Sequence, residues 1–151
     1  MPKIDIPKWS EHAGGIHPVV GLDNGAYADI PLGDLVGLSQ FGVHLERLPP
    51  GSRSSFRHWH EAEDEFIYVI SGELLLIEDD EVLLTAGDAA GWKAGEPIAH
   101  CLENRSDRDA VMLVVGARAK NDVVHYPDHD LKLHRSGKDR TFTRSDGSSV
   151  E

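Results

Sequence analysis

Two histidines separated by one residue, His58 and His60, are the first side chains in this sequence whose type and spacing could do chemistry. In a β-strand, side chains at positions i and i+2 project from the same face, so both imidazoles can point into one cavity. Imidazole is the side chain that most often binds a metal ion in proteins. The pair alone is weak evidence, because two histidines on a strand are more often structural or surface residues.

Glu65 and His100 strengthen the metal interpretation. Glu65 follows His60 after a short acidic turn, so its carboxylate can return to the same cavity mouth. His100 comes from a separate hairpin, beyond Gly87 and Gly95, and adds a third imidazole. Imidazole and carboxylate donors suit several divalent transition metals, and affinity alone does not choose among them.

Short strands and turns must position these side chains. Fifteen glycines and eight prolines are spread along the chain, which favours turns over long helices. We predict strands over residues 38–48, 55–60, 65–70, 89–92, 98–102, 110–115 and 141–143, and a hairpin of strands 73–77 and 81–85 with an acidic tip. Strands that recur roughly every 8–12 residues are typical of a sandwich or barrel. The sequence therefore predicts an all-β protein.

The residues around His58, His60 and Glu65 and those around His100 resemble the two motifs of the cupin superfamily. The first motif runs Gly, His-x-His, Glu, Gly, and the second runs Gly, Pro-x-Gly, His, Asn. The first is GSRSSFRHWHEAEDEFIYVISG, residues 51–72, and the second is GDAAGWKAGEPIAHCLEN, residues 87–104. In the second motif Lys93 stands where proline is usual, and two extra residues separate Gly95 from His100. The resemblance covers residues 38–116.

The resemblance implies a single-domain jelly-roll barrel, also called a double-stranded β-helix, over residues 38–118. From their many Gly, Pro and Asp residues we expect residues 1–37 to form an irregular N-terminal arm with at most one short strand, and we expect a C-terminal segment (119–151) with a disordered end to pack on the barrel. The resemblance also implies a metal site for one divalent ion, such as Zn, Fe, Mn or Ni, with the ligands His58, His60, Glu65 and His100. It further implies a homodimer, for which an outward Trp59 would be suited.

Other residues near the motifs could serve a small-molecule ligand. Arginine can bind a carboxylate or phosphate through two hydrogen bonds, and a strand that precedes the first motif can line the cavity. The candidates for substrate contact are Gln40, Arg53, Arg57 and Trp92, and the candidates for a catalytic base are His44 and Tyr68. For each of them a packing or surface role is the alternative. We interpret Cys101 as a small buried residue, and His125 and His129 as residues of the tail.

Composition excludes some classes of function. The formal net charge is −11, from 15 basic and 26 acidic residues, so the chain repels phosphate backbones and nucleic-acid binding is not expected. The single cysteine cannot form an internal disulfide, which fits a reducing compartment. No apolar run is long enough for a signal peptide or a membrane span. We therefore expect a cytoplasmic protein without membrane contact.

Two classes of function stay open. The first is a metal-dependent enzyme acting on a small polar, organic-acid or sugar-like substrate as an isomerase, a lyase or decarboxylase, or a dioxygenase. Compact cupins of this pattern resemble bacterial proteins described as sugar-phosphate-isomerase-like or oxalate-decarboxylase-like. The second is a non-catalytic binding or sensor domain in which the metal anchors a ligand. The sequence offers no evident acid–base pair beyond the ligands, which weakens the first, and no DNA-binding motif, which weakens a regulatory role.

Overall fold

The structure, a computed structural model, describes residues 3–150, and in this range regular structure is almost entirely β. The strands are β1 (Ser10–His12), β2 (Tyr27–Ile30), β3 (Phe41–Leu48), β4 (Trp59–His60), β5 (Glu65–Ser71), β6 (Glu73–Ile77), β7 (Glu81–Thr85), β8 (Ala89–Trp92), β9 (Cys101–Glu103), β10 (Ala110–Ala117), β11 (Asn121–Tyr126), β12 (Leu131–Ser136), β13 (Asp139–Thr143) and β14 (Ser149–Val150). Short 3-10 helices occupy Asp34–Val36 and Pro127–His129. No helix in the described range is long and apolar enough to cross a lipid bilayer.

The strands form two facing layers. One layer is a six-stranded sheet in the order β1-β2-β3-β10-β5-β8. The other combines a five-stranded sheet, β14-β13-β12-β11-β4, with a three-stranded sheet, β7-β6-β9. Two isolated antiparallel bridges lie beside these smaller sheets: the first pairs Arg53 with Glu103 of β9, and the second pairs His58 with His100, the residues that directly precede β4 and β9. The second bridge places two of the predicted metal ligands side by side.

The core lies between the two layers because the strands alternate apolar and polar side chains. On β5, Ile67 and Val69 are buried, whereas Phe66 and Tyr68 face outward. This alternation follows from the two-residue repeat of a strand. The buried cluster is formed by Leu48, Ile67, Val69, Leu74, Leu76, Leu84, Trp92, Leu102, Ala110 and Met112. Burial of each large apolar side chain contributes about 1.5–3 kcal/mol to folding.

Most strands of the predicted barrel are confirmed, but the strand predicted over 55–60 is shorter: only Trp59–His60 is a strand, and His58 forms an isolated bridge. The hairpin has the predicted bounds, with β6 and β7 paired from Glu73 and Thr85 to Ile77 and Glu81. Gly72, which precedes this hairpin, has a φ of +75°, and a Cβ there would lie 2.6 Å from the carbonyl oxygen of Asp109. A glycine is therefore required at the end of the first motif. Cys101 is fully buried, as interpreted from the sequence.

The N-terminal segment differs from the predicted irregular arm. Residues 10–30 contribute β1 and β2, which extend the six-stranded sheet beyond β3. Ile30 pairs with Leu45, and both Ala28 and Ile30 are buried. The short strands and their many glycines conceal this pairing in the sequence, because it joins segments that are distant along the chain. The segment is thus part of the barrel wall.

The C-terminal segment differs even more from the predicted tail. Four strands, β11 to β14, lie within residues 121–150, and β11 pairs with β4 beside the histidine pair. β14 pairs with β13 through Ser149 and Thr143, so the chain is ordered up to residue 150. Glu151, the last residue of the predicted disordered end, lies outside the described residues. The polar residues of β11 and β12 misled the prediction because only one face of these strands is buried.

Candidate metal centre

The three predicted imidazole ligands converge on one carboxylate, that of Glu65. Nε2 of His58 lies 3.2 Å from Oε1 of Glu65, and Nε2 of His60 lies 2.6 Å from the same oxygen. Nε2 of His100 contacts the other carboxylate oxygen. Ligand atoms of His58, Glu65 and His100 all lie within 4.8 Å of one another, close enough to hold one metal ion. The structure thus brings together the four residues predicted as ligands.

Backbone pairing holds the ligands at this point. The N–H of His58 donates to the carbonyl of His100 at 3.2 Å, and the N–H of His100 donates back at 3.0 Å. The loop after β8 is tied to the first motif, since the N–H of Gly95 donates to the carbonyl of His60 at 2.9 Å. The two extra residues before His100 are absorbed in this loop, where the N–H of Ile98 donates to the carbonyl of Glu96.

An acceptor fixes the second ring nitrogen of each histidine. Nδ1 of His58 is 2.9 Å from the carbonyl oxygen of Phe56, Nδ1 of His100 is 2.9 Å from that of Ile98, and Nδ1 of His60 is 2.6 Å from a carboxylate oxygen of Asp122. Because these oxygens only accept, each Nδ1 carries a proton, and Nε2, which faces Glu65, is the nitrogen that a metal ion could take. Three imidazole nitrogens and one carboxylate form a donor set that fits a divalent cation.

Electrostatics at the centre also favour a cation. Burial raises the pKa of Glu65, but hydrogen bonds from the three histidines outweigh it and hold this pKa far below its usual range. Burial likewise lowers the pKa of His60, yet the neighbouring carboxylates of Glu65 and Asp122 raise it to about 9. The carboxylate of Glu65 therefore stays ionised, and the potential around the ring nitrogens is negative.

Trp92 packs directly on a ligand. Its ring stacks on the imidazole of His100 with centroids 3.7 Å apart and planes 3° from parallel. Trp92 is buried in the core and also lines the cavity at the centre. The sequence suggested substrate contact for this residue, and the structure places it in the cavity lining, where its ring also supports His100.

Two neighbouring cavities share part of their lining beside the centre. The inner cavity, of about 150 Å³, is lined by His58, Glu65 and His100 and by apolar residues of the six-stranded and three-stranded sheets. The outer cavity, of about 550 Å³, is lined mainly by the N-terminal segment, residues 12–29. The residues that line both cavities are His44, Glu46 and Ser54. These three side chains therefore lie at the boundary between the two cavities.

Comparison with known proteins matches this architecture. The profile of the Cupin_2 family, described as a cupin domain, matches residues 44–116. The crystal structure of a sugar phosphate isomerase from a cupin superfamily, from Silicibacter pomeroyi, has 39% sequence identity and a TM-score of 0.88, with 99% of this chain and 97% of that chain covered. The chain belongs to the cupin superfamily.

Further relatives of this cupin are more distant. A proposed sugar phosphate isomerase from Acidithiobacillus ferrooxidans is 32% identical, with a TM-score of 0.78 over 83% of this chain and 81% of that chain. A predicted oxalate decarboxylase from Thermotoga maritima is 26% identical, with a TM-score of 0.54 over 63% of this chain and 83% of that chain. Comparison with curated proteins gave no match.

The strand β3 of this cupin places an acid–base pair beside the ligands. His44 and Glu46 project from the same face, and His44 Nε2 lies 3.5 Å from a carboxylate oxygen of Glu46. His44 was a candidate from the sequence and does reach the inner cavity, whereas Glu46 was missed. The two-residue strand repeat was the signal that could have identified it.

Two other candidates do not reach the cavities. Tyr68 has the opposite orientation to Glu65 and Ile67 on β5, and it is 41% exposed on the outer face of the sheet. A role for Tyr68 as the catalytic base is therefore wrong. Gln40 precedes β3 and is exposed, and it does not line either cavity among the described residues. Its predicted contact with substrate is also wrong.

The two candidate arginines lie in different places. Arg53 lines the outer cavity and is 39% exposed, with a contact of 3.6 Å to Glu103. Arg57 instead forms hydrogen bonds of 2.8 and 2.6 Å to the carboxylate of Asp128 and one of 2.9 Å to the carbonyl of Glu78. Substrate contact therefore fits Arg53, whereas Arg57 links the β6–β7 hairpin to the C-terminal segment.

The histidines assigned to the tail pack on the barrel instead. His125 stacks on Trp59 with centroids 3.9 Å apart, and its Nε2 lies 3.1 Å from a carboxylate oxygen of Glu61. This stacking half-buries Trp59, so Trp59 is not the free outward side chain expected for a dimer interface. His129 lies edge-on against Phe56, with ring centroids 5.0 Å apart.

Proposed function

We propose that this cupin is a metal-dependent isomerase of small hydroxy-carbonyl compounds of the sugar class. One divalent transition metal, such as Zn, Fe, Mn or Ni, would be bound by His58, His60, Glu65 and His100. One observation carries the proposal: His44 and Glu46, an acid–base pair 3.5 Å apart, line the same inner cavity as the ligands.

The chemistry needs a polarised oxygen and a mobile proton. A divalent ion held at the centre would supply Lewis-acid polarisation of a substrate oxygen. Glu46 removes the proton from the carbon next to the carbonyl and returns it to the neighbouring carbon. His44 donates a proton to the carbonyl oxygen and accepts one from the hydroxyl oxygen. The carbonyl and the hydroxyl exchange places, and the step has no net oxidation or reduction.

The shape of the cavities fits such a substrate. The inner cavity, at about 150 Å³, holds only the reacting end of a sugar-sized molecule. The remainder would lie in the larger outer cavity, where polar residues such as His12, Asp23 and Asp29 face it. Arg53 is the one arginine, and no lysine is present, among the residues that line the two cavities in the described range. An anionic group such as a phosphate would therefore contact Arg53.

The relatives support the same class of reaction. The protein from Silicibacter pomeroyi is described as a sugar phosphate isomerase, and the protein from Acidithiobacillus ferrooxidans as a proposed one. The first aligns over 99% of this chain, and this alignment includes the segments that build the outer cavity and β11. The relative named oxalate decarboxylase aligns over a smaller share, 63%.

Solvent-isotope exchange tests the proposal. The metal-loaded protein is incubated in D2O with a panel of aldoses, ketoses and their phosphates, and products are followed by NMR. We expect at least one sugar to interconvert with its isomer and to gain deuterium at the carbon next to the carbonyl. Glu46→Gln should abolish both signals, whereas Tyr68→Phe, on the outer face, should keep them. Binding of sugars without any turnover would favour the non-catalytic domain, and substrate-dependent oxygen uptake would favour a dioxygenase.

A further inference from the structure

Asp122 is a buried carboxylate outside the four ligands and outside residues 44–116, which match the family profile. Its side chain has no exposed surface. Removal of an ionised carboxylate from water costs several kcal/mol unless hydrogen bonds and charges compensate. The partners of Asp122 therefore indicate why the fold keeps a charge at this position.

Each oxygen of Asp122 faces a donor. Oδ2 lies 2.6 Å from Nδ1 of His60, and Oδ1 accepts the backbone N–H of Ala62 at 2.9 Å. Val124 of β11 is paired with His60. Asp122, two residues earlier, projects from the same face of β11 as Val124, next to His60. Only a carboxylate satisfies both donors at once, since an asparagine there would turn its amide N–H toward one of them.

A second carboxylate and one arginine hold Asp122 in place. Arg135 of β12 contacts Glu63 at 2.5 Å and lies 3.7 Å from Asp122. Glu63 also accepts the backbone N–H of Ala119 at 2.9 Å. His60, Glu63 and Asp122 are close enough to hold a metal ion themselves. The guanidinium of Arg135 already balances the two carboxylates, which makes this cluster a support and not a second metal site.

We propose that Asp122 is the positioning residue of the metal ligand His60. Its carboxylate keeps the proton of His60 on Nδ1 and fixes the ring so that the Nε2 lone pair points to the centre. The β11–β12 hairpin is thus part of the metal site. The inference rests on the proposed binding of a metal ion by the four ligands, and it holds whichever reaction the site performs.

Loss of this contact should weaken metal binding without loss of the fold. Carboxylates that orient a metal-bound histidine typically contribute about 10–100-fold to metal affinity. Since Asp122 would act through His60, its contribution should vanish when the imidazole of His60 is removed. If Asp122 only stabilised the fold, its substitution would weaken metal binding by the same factor in the protein that lacks the His60 imidazole.

Cobalt titration tests the inference. Chelator-stripped protein is titrated with Co²⁺, and binding is followed by calorimetry and by the visible absorption of the bound ion. We expect Asp122→Asn to bind Co²⁺ about 10–100-fold more weakly than the unaltered protein. Asp139→Asn, an exposed aspartate on β13, serves as the matched control and should bind normally. In a His60→Ala background, Asp122→Asn should change the affinity less than about twofold.

Each other result has a defined meaning. Unchanged affinity in Asp122→Asn, or an equal loss in the His60→Ala background, would overturn the positioning role. Absence of Co²⁺ binding by the unaltered protein would instead overturn the metal proposal itself. A second measurement, NMR of the imidazole nitrogens, uses the unaltered protein and so does not depend on whether a variant folds. It should show the proton of His60 on Nδ1, and a proton on Nε2 alone would contradict the inference.

Discussion

His44 and Glu46 are two residues apart on β3, and their side chains lie 3.5 Å apart in the lining that the outer and inner cavities share. Both face inward because alternate residues of a strand share a face. A shift of one residue in the pairing of β3 with β10 would turn both to the outer surface. The register that pairs His44 with Val114 therefore places the acid–base pair beside the metal ligands.

Glu46→Gln should remove activity without removing metal. Glutamine keeps the shape of the side chain but cannot take a proton, so kcat should fall by about 10²–10⁴-fold. Metal content, measured by elemental analysis, should stay that of the unaltered protein. The exposed Glu81→Gln on β7 is the matched control and should keep full activity. Retained activity in Glu46→Gln would remove Glu46 from the proposed mechanism.

Arg53→Ala should distinguish charged from neutral substrates. Arg53 contacts Glu103 only at 3.6 Å, while Arg105 holds Glu103 at 2.9 Å, so the guanidinium of Arg53 is available to a ligand. We expect KM for a phosphorylated sugar to rise by about tenfold or more, with a smaller change for the neutral sugar. Steady-state kinetics on both substrates provide the measurement. An equal change for both substrates would show that Arg53 does not bind the phosphate.

The ion pair between Arg57 and Asp128 should make stability depend on acid pH. The hydrogen bond from Arg57 lowers the pKa of Asp128 below its ordinary value of 3.8. The pair therefore stabilises the fold above about pH 4, and this contribution is lost as pH falls through the lowered pKa. Because Asp128 is partly exposed, Asp128→Asn should cost at most about 1 kcal/mol at pH 7. Urea unfolding should show this difference at pH 7 and a smaller difference as the pH falls below 4, and a difference that stays constant over the acid range would contradict the account.

We propose that two copies of this cupin pair through the outer face of β5. Phe66, Tyr68 and Ile70 are exposed there, and Leu113 of β10 lies beside Tyr68. Apolar patches of this kind commonly mark protein interfaces. Light scattering should give twice 16.6 kDa for the unaltered chain.

Tyr68→Glu should give the monomer mass, because the charge would be desolvated in the interface. Val82→Glu, at an exposed position of β7, is the control and should leave the dimer intact. A monomer mass for the unaltered chain would contradict the proposed pairing.

Three of the ligands could be predicted because they lie close together in the sequence. The residues that hold the ligands in place could not be predicted, because they are distant along the chain. His58, His60 and Glu65 are separated by at most seven residues, and the strand repeat alone places the two histidines on one face. Asp122 reaches His60 across 62 positions, and Arg135 reaches Glu63 across 72. No periodic pattern encodes contacts of that separation.

The strands β1, β2, β11 and β12, all outside the motifs, were missed for a related reason. β11 and β12 bury apolar side chains through Val124, Leu131 and Leu133, and apart from Val123 their other residues are polar, charged or aromatic. A segment with so few buried residues resembles a loop in sequence. Closer attention to their two-residue alternation would have identified both strands. β1 and β2 are three and four residues long, too short for any such repeat to be evident.

Elemental analysis of the protein purified without chelators tests the central claim most directly. A site built from His58, His60, Glu65 and His100 predicts about one equivalent of a transition metal per chain. His100→Ala should retain less than about a tenth of that amount, since truncation of a ligand removes a metal bond. The exposed Asp139→Asn should retain all of it. Full metal content in folded His100→Ala, or no uptake by the unaltered protein after incubation with Zn, Fe, Mn and Ni, would contradict the metal centre.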